Sequence, residues 1–60
     1  GRRSLHAACN IPKGKKIDAS MLAIKRPGKG IPTFLKDTVI GRTTRKEIRE
    51  DEWITWEMIQ

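Results

Sequence analysis

Residues 4–11 alternate, with Leu5, Ala7, Cys9 and Ile11 on one side of an extended chain and Ser4, His6, Ala8 and Asn10 on the other. Strand side chains point to opposite faces with a period of two, so the pattern predicts a strand half-buried against a core. Pro12, Lys13 and Gly14 predict the turn that ends it. After Ile17, the Asp18 carboxylate stands where it can accept from the free N–H groups of one helical turn, with Met21 and Leu22 facing inward. Ile24, Lys25 and Arg26 resume an extended course until Pro27, Gly28, Gly30 and Pro32 break regular structure. Residues 33–39 carry Phe34, Leu35 and Val39 at near-helical spacing and predict a short helix, closed by a turn at Gly41. Residues 43–48 predict a strand, Glu50 and Asp51 a turn, and Trp53 and Ile54 an extended segment. Thr55 is placed to cap a last helical turn that buries Met58 and Ile59.

The two halves match at an offset of 37 residues: Ile11 falls on Ile48, Ile17 on Ile54, Asp18 on Thr55, Met21 on Met58 and Leu22 on Ile59. The matched positions are anchors and caps, the positions that set a fold. They predict two similar lobes about an approximate twofold, each a strand, a tight turn and a one-turn helix. Units this short cannot bury a face alone, so the two copies are expected to pack on each other. The fold class is therefore mainly β with short helical turns and an internal pseudo-twofold repeat.

Size narrows the function. Sixty residues with 37% hydrophobic content allow one domain, residues 1–60, with a thin core and no deep catalytic cleft. An autonomous enzyme is not expected, and no catalytic residue is assigned. No apolar run approaches the roughly 18 residues that span a bilayer, and no apolar segment follows the basic start, so no membrane is expected as a partner. Cys9 and His6 are single residues of their types, which leaves no structural zinc site or internal disulfide. Cys9 is expected as a small buried hydrophobe, and an unpaired thiol suits a reducing cytoplasm.

Charge is uneven. Residues 1–30 carry +7 and residues 31–60 carry −1, within a formal total of +6. The basic half is expected to face something anionic. Its most informative stretch is Lys25-Arg26-Pro27-Gly28-Lys29-Gly30, three cations on a loop stiffened by proline and brought close to a ligand by glycine. The spacing is not that of a phosphate-binding P-loop. Arg26, preset by Pro27, offers a fork of donors to a carboxylate, amide oxygen or phosphate. Trp53 and Trp56 could stack single-stranded nucleic acid, but they are few and lie among Glu50, Asp51, Glu52 and Glu57, which disfavours that partner. The carboxylate cluster has no His or Cys nearby, so no metal site is assigned.

Ile-Pro-Lys-Gly, the following Ile, Asp and Met-Leu, the Lys25-to-Pro32 loop, Val39-Ile40-Gly41 and the closing Ile54-Thr55-Trp56-Glu57-Met58-Ile59 together resemble the C-terminal antifreeze-like (SAF) domain of sialic acid synthases. The resemblance runs from Arg3 to Ile59. It implies a small β-clip or pretzel-like fold and a domain excised from a larger cytoplasmic synthase. In such synthases a (β/α)-barrel condenses phosphoenolpyruvate with an N-acylated amino sugar such as N-acetylmannosamine, using a divalent metal, Mn or Mg. The SAF domain holds no cofactor of its own and covers the partner subunit's barrel in a domain-swapped homodimer. By resemblance Arg26 is the substrate-binding residue, reaching the acyl amide of the sugar, while Pro27, Gly28 and Gly30 shape its loop.

The sequence is also similar to type III antifreeze proteins, which bind ice through a largely uncharged face. Lys13, Lys15, Lys16 and Asp18 occupy the equivalent stretch, and strongly hydrated charges fit ice poorly, so ice binding is not expected. Two alternatives carry different functions: a SAF domain serving a sugar-acid dehydratase or a pilus or flagellar assembly factor, and a small basic nucleic-acid-binding module.

Overall fold

The computed structural model describes residues 2–60. Strand β1 (Ser4–Ala7) pairs antiparallel with β2 (Leu22–Lys25), with Ser4 opposite Lys25 and Ala7 opposite Leu22. Three 3-10 turns, Ala19–Met21, Thr33–Leu35 and Trp56–Met58, and one helical turn, α1 (Lys36–Val39), complete the elements. The remaining pairing consists of isolated bridges.

Those bridges obey the repeat. Ile11 and Ile48, equivalent residues, pair with each other through N–H donation in both directions at 2.7 and 2.8 Å, which places the pseudo-twofold axis between them. The His6–Trp53 bridge maps onto Lys16–Thr43, and the Ala7–Leu22 pair onto Thr44–Ile59. Hydrogen bonds map likewise: Ala8 N–H to Met21 at 2.8 Å matches Arg45 N–H to Met58 at 2.7 Å, and Asp51 N–H to Ala7 matches Gly14 N–H to Thr44. The same left-handed conformation closes both turns, at Gly14 (φ 80°) and Asp51 (φ 71°). Glycine takes it without a Cβ clash, and aspartate is among the few other residues that tolerate it.

The core follows the same relation. Ile11 with Ile48, Ile17 with Ile54, and Leu22 with Ile59 are all buried, joined by Leu5, Ile31 and Val39. Each contributes about 1.5–3 kcal/mol by leaving water, and neither lobe could bury its three alone.

The lobes differ where a hydroxyl enters the turn. In the second, the Glu52 N–H donates directly to the Arg49 carbonyl at 3.1 Å. In the first, the Thr44 hydroxyl is inserted at the equivalent place, accepting from the Lys15 N–H at 3.0 Å and donating to the Pro12 carbonyl at 2.7 Å. Ala7, the counterpart of Thr44, has no hydroxyl to insert.

The structure corrects several expectations. The strand predicted over residues 4–11 ends at Ala7, because the chain bends at residues 8 and 9 and rejoins the ladder only at Ile11. Its half-buried alternation fails as well, since Ser4 and His6 are buried along with Leu5 and Ala7: other segments cover both sides. Cys9, beyond the strand end, is exposed and not a core residue. Residues 43–48 form bridges at Thr43, Thr44 and Ile48 and no continuous strand, because each pairs with a different segment. The helix over residues 33–39 is split into a 3-10 turn and α1, leaving Phe34 81% exposed. Asp18 does cap its turn, accepting from the Ser20 N–H at 2.9 Å, but Thr55 at the equivalent place makes no side-chain cap bond.

Candidate functional site

The loop of residues 26–32 leaves the end of β2 and returns along β1. Its return is fixed by backbone bonds: Leu5 N–H donates to the Ile31 carbonyl at 2.9 Å and Ile31 N–H to the Ile54 carbonyl at 2.8 Å. A side chain ties its middle. The hydroxyl of fully buried Ser4 donates to the Pro27 carbonyl at 3.4 Å and accepts from the Gly30 N–H at 3.1 Å, so one atom spans the turn. The periodicity of residues 4–11 had marked Ser4 only as an outward polar position; no sequence signal pairs it with a loop more than 20 residues away.

Two glycines let the loop lie this close. A Cβ on Gly30 would stand 2.7 Å from the Ile54 carbonyl oxygen and 3.0 Å from that of Leu5, and one on Gly28 would stand 2.7 Å from the Arg2 backbone. The Arg26–Pro27 peptide is cis. Arg26 itself is exposed, and among the described residues no ion pair or hydrogen bond occupies its guanidinium.

The other two loop cations are engaged. Lys25 pairs with the Asp51 carboxylate across the ladder. The Lys29 ammonium stands 5.3 Å from the centroid of the Trp53 ring. Beneath them His6 is buried, its Nδ1 donating to the Asp51 carbonyl at 3.2 Å, and its ring meets Trp53 edge-on at 6.2 Å and 67°. Asp51 and Trp53 also line a shallow, mainly apolar cleft of about 360 Å³ with Glu52, Thr55 and Met58. Among the described residues, Arg26 is thus the one cation of the 25–30 stretch without a partner, on an edge stiffened by an ion pair, a cation–π contact and a buried hydroxyl.

No group of three His, Cys, Asp or Glu side chains converges among the described residues. Asp51 is matched by Lys25, and a Glu52 carboxylate oxygen accepts from the Arg49 N–H at 2.8 Å. His6 is buried and Cys9 is exposed. No helix is long and apolar enough to cross a membrane among the described residues. The tryptophans are placed differently from what their acidic neighbours in sequence imply: Lys29 lies over Trp53, and the Arg42 guanidinium carbon lies 5.5 Å from the centroid of Trp56.

Comparison with known proteins agrees with this architecture. The chain is 36% identical over 56 residues to an uncharacterized protein of Methanocaldococcus jannaschii, covering 93% of this chain and 17% of that protein's length. Its structure resembles the solution structure of the antifreeze protein like domain of human N-acetylneuraminic acid phosphate synthase, with a TM-score of 0.90 and 28% identity. That match covers 95% of this chain and 73% of the other. The SAF domain model matches residues 2–60. The matched span and the structural likeness lead to one assignment: this chain belongs to the SAF domain family.

Proposed function

We propose that the chain is the accessory lid of a sialic-acid-type synthase, binding an N-acylated amino sugar through Arg26 while the barrel of a partner subunit performs the condensation with phosphoenolpyruvate. The observation that carries the reading is the free guanidinium of Arg26 on a loop whose other cations are engaged and whose turn is tied by Ser4. A fork of five N–H donors matches an amide or carboxylate oxygen, and a loop ordered beforehand loses little entropy when it closes on a ligand. The domain is non-catalytic in this reading: it orients the sugar and excludes water from one side. In this reading the divalent metal belongs to the barrel.

Removing a charge-assisted hydrogen bond costs about 1.5–3 kcal/mol, a loss of roughly 10- to 150-fold in kcat/KM. Arg26→Ala in the full-length dimer is expected to show that loss, mainly as a raised KM for the sugar with KM for phosphoenolpyruvate unchanged. Arg26→Lys, which keeps the charge and loses the fork, is expected to recover only part. Wild-type kinetics in Arg26→Ala would remove the assignment.

A further inference from the structure

The repeat supplies an internal control for the placement of charge. Residues 12–16 and 42–46 form one ladder, and their equivalents, 49–53 and 5–9, form the other with matching hydrogen bonds. The first carries six cations, Lys13, Lys15, Lys16, Arg42, Arg45 and Lys46, and no acid; the second carries Arg49 with Glu50, Asp51 and Glu52. Since the acidic copy adopts the same backbone, folding does not require the cations. Gathering six like charges on one end opposes compaction through self-repulsion.

The bridge between Lys16 and Thr43 and the bond between Thr44 N–H and the Lys15 carbonyl set the two cationic segments side by side, about 4.8 Å apart as paired strands are. Five of the six side chains are exposed, Arg42 is half-buried, and none is in an ion pair among the described residues. The nearest acids in sequence are Glu47, then Asp18, whose carboxylate accepts from the Ser20 N–H, and farther off Glu50 and Asp37. Trp56 borders this end, because the Arg45 N–H bonds the Met58 carbonyl and Thr44 bridges Ile59. Its indole is 45% exposed with Arg42 against it, and the Arg42 Nε is fixed by donation to the Thr38 carbonyl at 2.9 Å. The counterpart of Trp56 in the other lobe is Ala19, so the aromatic, like the cations, is not required by the fold.

We propose that this basic end is a second binding surface that takes single-stranded nucleic acid, the six cations meeting phosphates and Trp56 stacking on a base. Lysine is depleted from protein–protein interfaces, and four of the six cations are lysine, which favours a polyphosphate over an acidic protein. A half-exposed indole beside a fixed guanidinium is a sequence-tolerant platform for a base. The surface lies across the Ile11–Ile48 axis from the position equivalent to it, where the Arg26 loop joins Leu5 and Ile54. The two surfaces therefore serve different ligands, and the failure of one reading leaves the other intact.

The test is binding of a fluorescein-labelled 12-mer oligothymidylate to the 60-residue chain, followed by anisotropy across a salt series. Six neutralised phosphates on a single strand give a log–log slope of about −4, so doubling the salt weakens binding roughly 20-fold. Lys13→Glu, Lys15→Glu and Lys16→Glu together are expected to reduce the slope to about −2 or less, and the pair Arg45→Glu and Lys46→Glu to weaken binding through the other segment. Both sets alter exposed positions, and circular dichroism verifies their fold. Oligothymidylate is expected to quench Trp56 emission in a Trp53→Phe background and to shift amides at residues 13–16 and 42–46. Absence of binding at 20 mM salt, amide shifts centred on residues 25–30, or tighter binding of a 12-residue polyglutamate would each overturn the proposal, the last in favour of an acidic protein partner.

Discussion

Replacing Ser4 by alanine deletes one oxygen and keeps the backbone pairing of β1 with β2. The consequence follows from what that oxygen touches. Its bond from the Gly30 N–H, at 3.1 Å, is the stronger of the two, and the bond to the Pro27 carbonyl, at 3.4 Å, is weak. Pro27 is exposed, so water replaces that partner at little cost; Gly30 is half-buried, with its neighbour Ile31 in the core. Leaving a donor unsatisfied there costs about 1–2 kcal/mol, toward the lower part of the range for buried groups because solvent partly reaches it. A domain of this size holds only about 3–9 kcal/mol in total, so the fraction lost is large. Thermal unfolding is expected to fall by about 4–16 °C, at roughly 4–8 °C per kcal/mol for a small domain. Amide exchange separates a local effect from a global one: Gly30 should lose about 5- to 30-fold in protection, beyond any uniform loss at Ile11 and Ile48. A melting temperature within about 2 °C of wild type, with Gly30 exchange unchanged, would refute the claim that this hydroxyl ties the loop.

Other substitutions probe different contacts. Gly30→Ala forces a Cβ to 2.7 Å from the Ile54 carbonyl oxygen, and backbone on both sides cannot yield, so a loss of about 3 kcal/mol or more is expected in denaturant unfolding. Gly28→Ala brings a Cβ to 2.7 Å from the Arg2 backbone and 2.8 Å from its side chain, so the Arg2 segment must move, and a loss of about 1–3 kcal/mol is expected in the same assay. Thr44→Val removes the hydroxyl inserted between Lys15 and Pro12 and is expected to cost about 1–2 kcal/mol, whereas Ala7→Ser in the other lobe should bring no matching gain because Glu52 already bonds Arg49 directly. The Asp18 carboxyl titrates below its ordinary value, chiefly because the Ser20 hydroxyl donates to it, with backbone bonds and the Lys15 charge adding to the effect. A folded-state value below the unfolded one gives stability that is present above the unfolded value and lost as pH falls through the folded value. Carboxyl NMR titration of Ser20→Ala should therefore show the Asp18 midpoint moving upward; an unmoved midpoint contradicts the assignment of cause.

Much of the architecture was legible because it rests on local chemistry. Asp18 caps a turn wherever its carboxylate meets free N–H groups, Gly14 and Gly41 supply positive φ, and prolines and glycines open the loop that carries Arg26. The 37-residue repeat was visible because each lobe must supply the same aliphatic anchors. Legibility ended where equivalent positions differ in their partners. Thr55 matches Asp18 by position, yet its hydroxyl makes no cap bond. Phe34 lies at helical spacing with Leu35 and Val39 but is exposed, because the backbone leaves the helical region at Leu35 (φ −100°, ψ 13°) before α1 begins at Lys36.

The sequence by itself determined the pair of lobes, their turns, their anchors and the placement of Arg26 on a stiff basic loop. The tertiary structure decided what each polar side chain meets. It buried Ser4 against a loop that lies 26 residues away at Gly30, placed Lys25 against Asp51, set Arg42 over Trp56, and left Cys9 in solvent. The physical reason is range: caps and turns answer to neighbours within a few residues, whereas these contacts exist only once the two lobes have closed on each other about Ile11 and Ile48.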